Sequence, residues 1–413
     1  MSGRRRNRRA WKKGCLQVFA IGAGFCACAV FILSLVYLEF GSYWENIMGR
    51  TAQETVTNVP QQESEFPEVT VTEEEVAGNF YYRQLTKEDQ TVYRELLQGV
   101  RDMKESITLH AGRSDRPEKV YEYLLYDRPE LFFCDGSSKM TVYEDHTDFY
   151  PGYTCSLRER EERQSQIETA VEKCFAGISA DSSEYDRIRY VYEYIVNTVK
   201  YDETAPDNQN IYSALVGKRS VCAGYSRAAQ YLLGKIGTEC IYVVGTAQGQ
   251  NAHAWNIVNC SGKYYQMDVT FGDPVFLLAE SGEELPRDTV NYDYLCCTDS
   301  DILLDHTPSE EVWYPVCNSD DLNYYKMNGM YYESFDPKII LGAMNNSIYS
   351  GEQMFACKFA GGDIFDEAKG VLTEELLPKA AQNLASVYDL ENVKYTYAED
   401  NAHHKITVFW NYE

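Results

Sequence analysis

Positive charge is scarce in this chain of 413 residues. It has 38 lysines and arginines against 63 aspartates and glutamates, and its formal net charge at pH 7 is −25. A nucleic-acid partner requires a basic face that neutralises phosphates. Only the extreme N-terminus is basic, so we expect no nucleic-acid partner.

Familiar metal-binding patterns are also missing. The sequence contains no CxxC pair and no HExxH, so a structural zinc site is not expected, and no cofactor is predicted. Of the thirteen cysteines, three (Cys15, Cys26 and Cys28) lie in the first 38 residues. Pairing of the other ten cannot be assigned from sequence.

Only one stretch, Gly14 to Leu38, is a long apolar run without charge, and it is long enough to span a hydrocarbon core of about 30 Å. Residues 1–13 before it carry seven basic and no acidic side chains. The positive-inside rule then predicts a single transmembrane helix with a cytoplasmic N-terminus and an extracytoplasmic remainder. A cleaved signal peptide is the alternative, but the run is longer than usual and no small-x-small site clearly follows.

The sequence predicts six segments, and its folded part is predicted to be α+β. A polar segment rich in Thr, Glu and Gln indicates a disordered stalk, and helical and strand patterns follow it. The segments are a basic tail (1–13), a transmembrane helix (14–38), the stalk (39–79), an N-terminal helical and β subdomain (80–178), a catalytic domain (179–319) and a small C-terminal α+β module (320–413).

Element boundaries are predicted from hydrophobic period and turn residues. The helices before the catalytic domain are Thr86–His110, Arg116–Tyr126 and Glu159–Ile178, with short strands at Leu131–Phe133 and Met140–Tyr143. The C-terminal module has strands Met330–Ser334 and Met354–Phe359, helices Pro337–Met344 and Phe365–Leu384, and a hairpin of Val393–Tyr397 with Lys405–Trp410.

Cys222 is the candidate nucleophile. Apolar residues recur at helical spacing from Ala223 to Lys235, and Gly237 suits the end of a helix. Cys222 is therefore predicted at a helix N-terminus, where the dipole and backbone N–H groups favour a thiolate.

A predicted hairpin places a base beside an acid. Strands are predicted at Cys240–Ala247, His253–Cys260 and Lys263–Phe271, and Ser261-Gly262 is a two-residue connection between the last two. If Cys260 pairs with Lys263, His253 faces Thr270, and Asp268 is a diagonal neighbour on the same face. A one-residue slip would place His253 and Asp268 on opposite faces.

These three side chains fit acyl transfer. Cys222 would attack a peptide or carboxamide carbonyl, His253 would take the thiol proton, and Asp268 would orient the imidazole. Asp273 is an alternative third member, although its Gly-Asp-Pro setting also suits a turn. The Cys222 backbone N–H is the expected oxyanion donor.

Three further residues are candidates for the site. A second oxyanion donor is expected from Gln209 or Tyr212, which could equally be a loop amide and a core aromatic. Trp255 could shield the site from water or belong to the core.

The sequence resembles the transglutaminase-like superfamily, in the form found on bacterial cell-surface proteins. The resemblance rests on Gln209–Leu215, Ser220–Ser226, Gly245, His253–Asn256 and Gly262–Phe271, and Asp127–Phe133 resembles a segment that precedes this domain. It implies a papain-like fold with Cys222 as nucleophile, His253 as base and Asp268 as orienting acid. Phe271 and Ala223 stand where members commonly carry Trp and Glu, which bears on substrate preference.

The resemblance leaves the reaction open, because superfamily members include cross-linking enzymes, peptidases, amidases and inactive proteins. No EF-hand loop is present, so the calcium dependence of animal cross-linking enzymes is not carried over. We expect hydrolysis of amide bonds in cell-wall peptides or surface proteins. Protein cross-linking and a non-catalytic surface-binding module are the alternatives.

Overall fold

The computed structural model describes residues 53–56, 66, 68–112, 116–249, 251–273 and 290–412. The predicted basic tail and transmembrane helix lie outside these ranges. Within them, no helix is both long and apolar enough to cross a membrane.

Helices and strands are interspersed along the described chain. The α-helices are α1 (Glu73–Val76), α2 (Lys87–Arg101), α3 (Pro117–Asp127), α4 (Leu157–Phe175), α5 (Glu184–Thr198), α6 (Ile211–Leu215), α7 (Cys222–Lys235), α8 (Asp299–Ile302), α9 (Tyr324–Met327), α10 (Pro337–Tyr349), α11 (Gly362–Val371) and α12 (Leu377–Tyr388). The strands are β1 (Gln53–Val56), β2 (Ile107–Leu109), β3 (Cys134–Val142), β4 (Thr147–Tyr153), β5 (Lys200–Tyr201), β6 (Arg219–Ser220), β7 (Cys240–Ala247), β8 (Asn251–Cys260), β9 (Lys263–Met267), β10 (His306–Pro308), β11 (Tyr331–Tyr332), β12 (Met354–Phe359), β13 (Lys394–Asp400) and β14 (Lys405–Asn411).

The predicted disordered stalk extends too far along the chain. Thr72 caps α1, and Val71 and Val76 are both buried. The Thr70 backbone N–H also donates to the Gln98 side chain of α2. Two valines among glutamates provide enough apolar surface to pack against α2, so residues 68–79 belong to the folded part.

A four-stranded antiparallel sheet in the order β10-β7-β8-β9 carries the candidate site. Cys260 pairs with Lys263, and Asn256 pairs with Met267, so the predicted hairpin register is confirmed. Ser261 and Gly262 both have positive φ, as a tight two-residue turn requires.

Helix α7 packs on this sheet through polar as well as apolar contacts. The Ser226 hydroxyl donates to the Ala254 carbonyl oxygen at 2.8 Å, and the Asn256 amide donates to the Ser226 carbonyl oxygen at 3.1 Å. These buried bonds fix the helix along β8, and the start of α7 lies close to His253. One cluster of buried apolar side chains, from Val71 to Cys296, joins α7 to the helices before it.

The C-terminal module has its own sheet, in the order β11-β12-β14-β13, and its own core, which runs from Ile340 to Trp410. Helices α10 to α12 supply one side of that core. On β12 and β14, Lys358 pairs directly with Lys405, and both lysines bind Asp293 of the preceding region. An ionic contact therefore joins the module to the part of the chain that carries the candidate site.

Candidate active site

The backbone before Cys222 is held by the loop of residues 208–210. The Val221 N–H donates to the Asn208 carbonyl oxygen at 3.1 Å, and the Ser220 hydroxyl donates to the same oxygen at 2.6 Å. Gly224, in the first turn of α7, has no room for a side chain, because a Cβ there would lie 3.1 Å from the Asn208 and Asn210 carbonyl oxygens and clash with Ser220. Cys222 is thus the first residue of α7, as predicted, and it is half-buried.

His253 and Asp268 are brought together by the β8-β9 hairpin. The Nε2–H group of His253 donates to Asp268 Oδ2 at 2.6 Å, and both side chains are buried. This bond leaves Nδ1 as the ring nitrogen available to Cys222, whose side chain is close enough to raise the pKa of His253. A neutral imidazole held in this tautomer has the lone pair that a general base needs.

Asp268 also ends strand β9. Its Oδ1 accepts the backbone N–H groups of Thr270 at 2.7 Å and Phe271 at 3.2 Å. These bonds close a turn where the sequence pattern predicts that the strand continues to Phe271. The carboxylate is therefore fixed by backbone donors on one oxygen and by the His253 imidazole on the other.

A second histidine, which the sequence reasoning missed, binds the same oxygen. His306 Nε2 lies 3.0 Å from Asp268 Oδ2, and His306 Nδ1 hydrogen-bonds to Asp305 Oδ1. Strand β10 brings His306 to the site by pairing with β7. The sequence signal was slight: His306 follows an aspartate directly, but so does His146 among the six histidines of the chain.

Gly245 permits this approach of β10. It lies opposite His253 on β7 and opposite Pro308 on β10. A Cβ at Gly245 would clash with the Thr307 carbonyl oxygen and come within 2.9 Å of Pro308 Cα. The glycine that contributes to the sequence resemblance is therefore needed for close strand packing beside the base.

The ionisation of the site follows from these contacts. Burial lowers the pKa of His253, but the Asp268 carboxylate and the Cys222 side chain outweigh it, so that the pKa is raised. Burial raises the pKa of Asp268, but His253 and His306 hold it well below its usual range. Burial lowers the pKa of His306, yet hydrogen bonds to Asp268 and Asp305 raise it overall.

Aromatic rings surround the buried side of the site. Trp255 is fully buried, stacks on His253 with ring centroids 6.0 Å apart, and donates its indole N–H to Gln266 at 2.8 Å. Phe271 packs against His253 and His306 at centroid distances of 5.0 Å and 4.6 Å. Trp255 is therefore a core residue whose ring lies against the His253 imidazole.

The remaining predicted site residues lie in different surroundings. Gln209 is half-buried in the loop that lies against the first turn of α7. Tyr212 instead donates its hydroxyl to Gln166 of α4 at 2.8 Å and stacks on Phe132. Asp273 accepts the Tyr225 hydroxyl at 3.2 Å, a contact with the first turn of α7.

Two clusters in the described part of the chain have the side chains that a metal ion would need. They are His253 with Asp268 and His306, and Asp293 with Asp400 and His403. In the first, the nitrogen atoms already donate to the carboxylate oxygen. In the second, two lysine ammonium groups occupy Asp293, which disfavours a further cation.

Nine of the ten described cysteines share a property that disfavours reaction. All ten are free thiols. Burial raises the pKa of the other nine thiols, which are Cys134, Cys155, Cys174, Cys240, Cys260, Cys296, Cys297, Cys317 and Cys357. These nine are consequently poor nucleophiles at neutral pH.

Comparison with known proteins gives one family match. Residues 172–269 match the transglutaminase-like superfamily. A search of curated proteins finds no match.

Three solved structures are similar at low identity. A TGase is 16% identical over 33% of this chain and 44% of its own, with a TM-score of 0.25. A candidate cysteine protease from Cytophaga hutchinsonii is 14% identical over 33% of this chain and 56% of its own, with a TM-score of 0.23. Menin is 14% identical over 73% of this chain and 66% of its own, with a TM-score of 0.26.

The first two matches thus span about half of each solved chain. The sequence match to the superfamily covers the Cys222 helix and the β8-β9 hairpin with Asp268 directly after it. Residues 172–269 form a domain of the transglutaminase-like superfamily.

Proposed function

We propose that this protein is a membrane-anchored, extracytoplasmic cysteine enzyme that hydrolyses peptide or carboxamide bonds through Cys222, His253 and Asp268. The observation that carries the proposal is the 2.6 Å bond from His253 Nε2 to Asp268, because it directs the other ring nitrogen towards a cysteine at a helix start. A nucleophile, a base and an orienting acid are the minimum set for thiol acyl transfer.

In the proposed reaction, His253 Nδ1 takes the proton of Cys222, and the sulfur attacks the substrate carbonyl carbon. The oxyanion is stabilised by the Cys222 backbone N–H and by Gln209, whose loop lies against this turn of the helix. His253 then gives its proton to the departing amine, which leaves a thioester on Cys222. Water, activated by His253, hydrolyses the thioester and restores the thiol.

Placement outside the cell rests on the sequence. The apolar run from Gly14 to Leu38 and the basic residues before it predict a single membrane-spanning helix with an outward-facing catalytic domain. In that position the enzyme would meet cell-wall peptides or surface proteins, and these are the substrates we propose.

Selective alkylation tests the proposed nucleophile. Iodoacetamide should modify Cys222 at pH 6–7 faster than the other described cysteines, because burial raises the pKa of those nine thiols. His253→Ala should abolish this selectivity by removing the ion-pair partner. Mass spectrometry of the digested full-length protein gives the rate for each cysteine, and equal rates at all ten would refute the activated nucleophile.

A second experiment distinguishes hydrolysis from cross-linking. The full-length protein is incubated with a glutamine-containing peptide, with and without a primary amine. Hydrolysis predicts release of the free acid, with the amine added to only a small fraction of the product. If amine incorporation exceeds hydrolysis, the acyl acceptor is an amine and the enzyme is a transglutaminase.

A further inference from the structure

Two imidazole rings share one carboxylate oxygen behind the proposed nucleophile. His253 Nε2 and His306 Nε2 lie 2.6 Å and 3.0 Å from Asp268 Oδ2. Because Oδ1 already accepts two backbone N–H groups, the Asp268 carboxylate has four donors in all. A carboxylate has about four acceptor positions, so Asp268 is saturated and cannot rotate without breaking several bonds.

His306 differs from His253 in the partners of its ring. Both of its nitrogens face carboxylates, Nε2 towards Asp268 and Nδ1 towards Asp305. An imidazole that donates from both nitrogens carries a positive charge. Its side chain is fully buried, and such a charge persists in the interior only because acidic partners flank it.

We propose that His306 is a positioning residue that acts through Asp268, fixing the carboxylate that orients His253 and dividing its negative charge between two rings. The proposal rests on the proposed function of Cys222, His253 and Asp268. It extends that function with a residue outside the matched superfamily domain, which ends at residue 269.

The positive charge of His306 affects the acidity of His253 in one direction. The rings of His253 and His306 are 5.2 Å apart, so a positive charge on His306 disfavours a second positive charge on His253. His306 therefore makes the His253 imidazolium a better acid than Asp268 alone would. A better acid transfers its proton more readily to a departing amine.

Each element that packs against His306 contributes a charged or titratable group. They are Asp268 after β9, Asp305 before β10, His253 on β8 and Tyr294, whose hydroxyl donates to Asp305 at 2.6 Å. Replacing His306 by a neutral residue leaves two carboxylates and removes one cation. The loss of this cation should raise the pKa of His253.

The first test determines the charge of His306 in the unaltered full-length chain. The protein is labelled with 15N-histidine, and ring nitrogen shifts are recorded from pH 5 to 8 in detergent. With only six histidines in the chain, the signals can be assigned by single substitutions. We expect both His306 nitrogens to be protonated throughout, and a neutral His306 at pH 7 would overturn the proposal.

The second test compares His306→Gln and His306→Leu with the control His403→Gln. His403 is also a buried histidine bonded to an aspartate, Asp400, and it contacts Tyr294 but not Asp268. The probe is iodoacetamide, and the rate of Cys222 alkylation is measured from pH 4 to 11. His253 loses its proton at the alkaline inflection of this profile. Loss of the His306 charge should move that inflection upwards by about two pH units, to the upper end of the measured range or beyond it, as expected for two charges about 5 Å apart at an effective dielectric constant of about 20.

The two replacements separate charge from hydrogen bonding. Gln retains an N–H donor for Asp268, whereas Leu has none, so the neutral-pH alkylation rate should fall about tenfold or more in His306→Leu and recover partly in His306→Gln. A role in packing alone would leave the inflection unmoved in both variants. An inflection unmoved in His306→Gln, or moved as much in His403→Gln, would overturn the proposal.

Failure of this inference is distinguishable from failure of the proposed function. If the unaltered protein shows no selective Cys222 alkylation, the proposed nucleophile is wrong. If Cys222 is selectively alkylated but the pH profile of alkylation is unchanged in the His306 variants, the proposed function stands and the positioning role is refuted.

Discussion

Asp293 offers the most direct test of how the C-terminal module is joined to the candidate site. Its buried carboxylate lies between Lys358, at 2.8 Å, and Lys405, which face each other on paired strands of the module. The carbonyl oxygen of the next residue, Tyr294, accepts the backbone N–H of Asp268 at 2.9 Å. Asp293→Asn should therefore loosen both the module and the support behind Asp268.

The magnitude follows from the charges left behind. Without Asp293, the two buried ammonium groups that it bridges repel each other, and at an assumed separation of about 5 Å and an effective dielectric constant of about 20 this repulsion is about 3 kcal/mol. Asp400 remains 3.9 Å from Lys405, so the uncompensated charge falls mainly on Lys358. Breaking a buried ion pair on one side costs about 3–5 kcal/mol, and we expect a loss of that order.

The assay is urea unfolding of the full-length variants, together with the double variant Asp293→Asn/Lys358→Met. Lys358→Met removes the unpaired charge, so the double variant should be more stable than Asp293→Asn alone. The control is Glu375→Gln, which breaks an exposed pair with Lys379 and should cost less than about 1 kcal/mol. A loss below about 1 kcal/mol for Asp293→Asn, or strict additivity with Lys358→Met, would show that Asp293 does not hold the two lysines in a buried ion pair.

The stability difference between the native protein and Asp293→Asn should change with pH in one direction. Burial raises the pKa of Asp293, but Lys405 and Lys358 lower it well below its usual range. A depressed pKa stabilises the fold above the unfolded value of about 3.9, and that contribution disappears as the pH falls through the folded value. The difference between the native protein and Asp293→Asn should be constant from pH 5 to 8 and shrink below about pH 4.

Two further substitutions test the packing beside the site and a buried acid away from it. Gly245→Ala should reduce the rate of Cys222 alkylation about tenfold at neutral pH. The added Cβ clashes with the Thr307 carbonyl oxygen and displaces the strand that carries His306. An unchanged alkylation rate would count against this role of β10. Asp127 should take up a proton on folding near pH 5, because burial outweighs its three hydrogen bonds and raises its pKa to about 6. The free energy of unfolding of the native protein, relative to that of Asp127→Asn, should accordingly rise by about 2–3 kcal/mol as the pH falls from 7 to 4 in urea unfolding curves of the two proteins.

Local rules predicted the core of the site well. The bounds of β7 match the prediction, and the Ser261-Gly262 turn fixed the register of β8 and β9 because a two-residue connection permits only one pairing. Cys222 begins α7, as the apolar spacing indicated. These features depend on neighbours within about twenty residues, which is the range over which sequence patterns are informative.

The sequence patterns missed two local details and one distant contact. The β9 strand ends at Met267 because the Asp268 side chain accepts the Thr270 and Phe271 N–H groups. Such side-chain bonds compete with strand pairing, and the alternation of hydrophobic residues does not reveal them. The predicted strand Leu131–Phe133 is a buried turn, since apolar residues alone do not distinguish the two. His306 reaches Asp268 across 38 residues of chain, and no local pattern predicts that contact.

The exposure of the three proposed catalytic groups limits which acyl acceptors can reach the site. His253 and Asp268 are buried beneath Trp255 and Phe271, whereas Cys222 is only half-buried. An acceptor can therefore approach the thioester only from the side on which Cys222 is open. Water fits any such opening and is present at a concentration of about 55 M. A protein amine can compete with water only if a surface of the enzyme binds it. Transamidation therefore requires a second binding surface beside Cys222. Amine incorporation in the peptide assay would therefore imply an acceptor surface on the open side of Cys222, because the described residues around His253 and Asp268 are chiefly buried aromatic side chains that pack on one another.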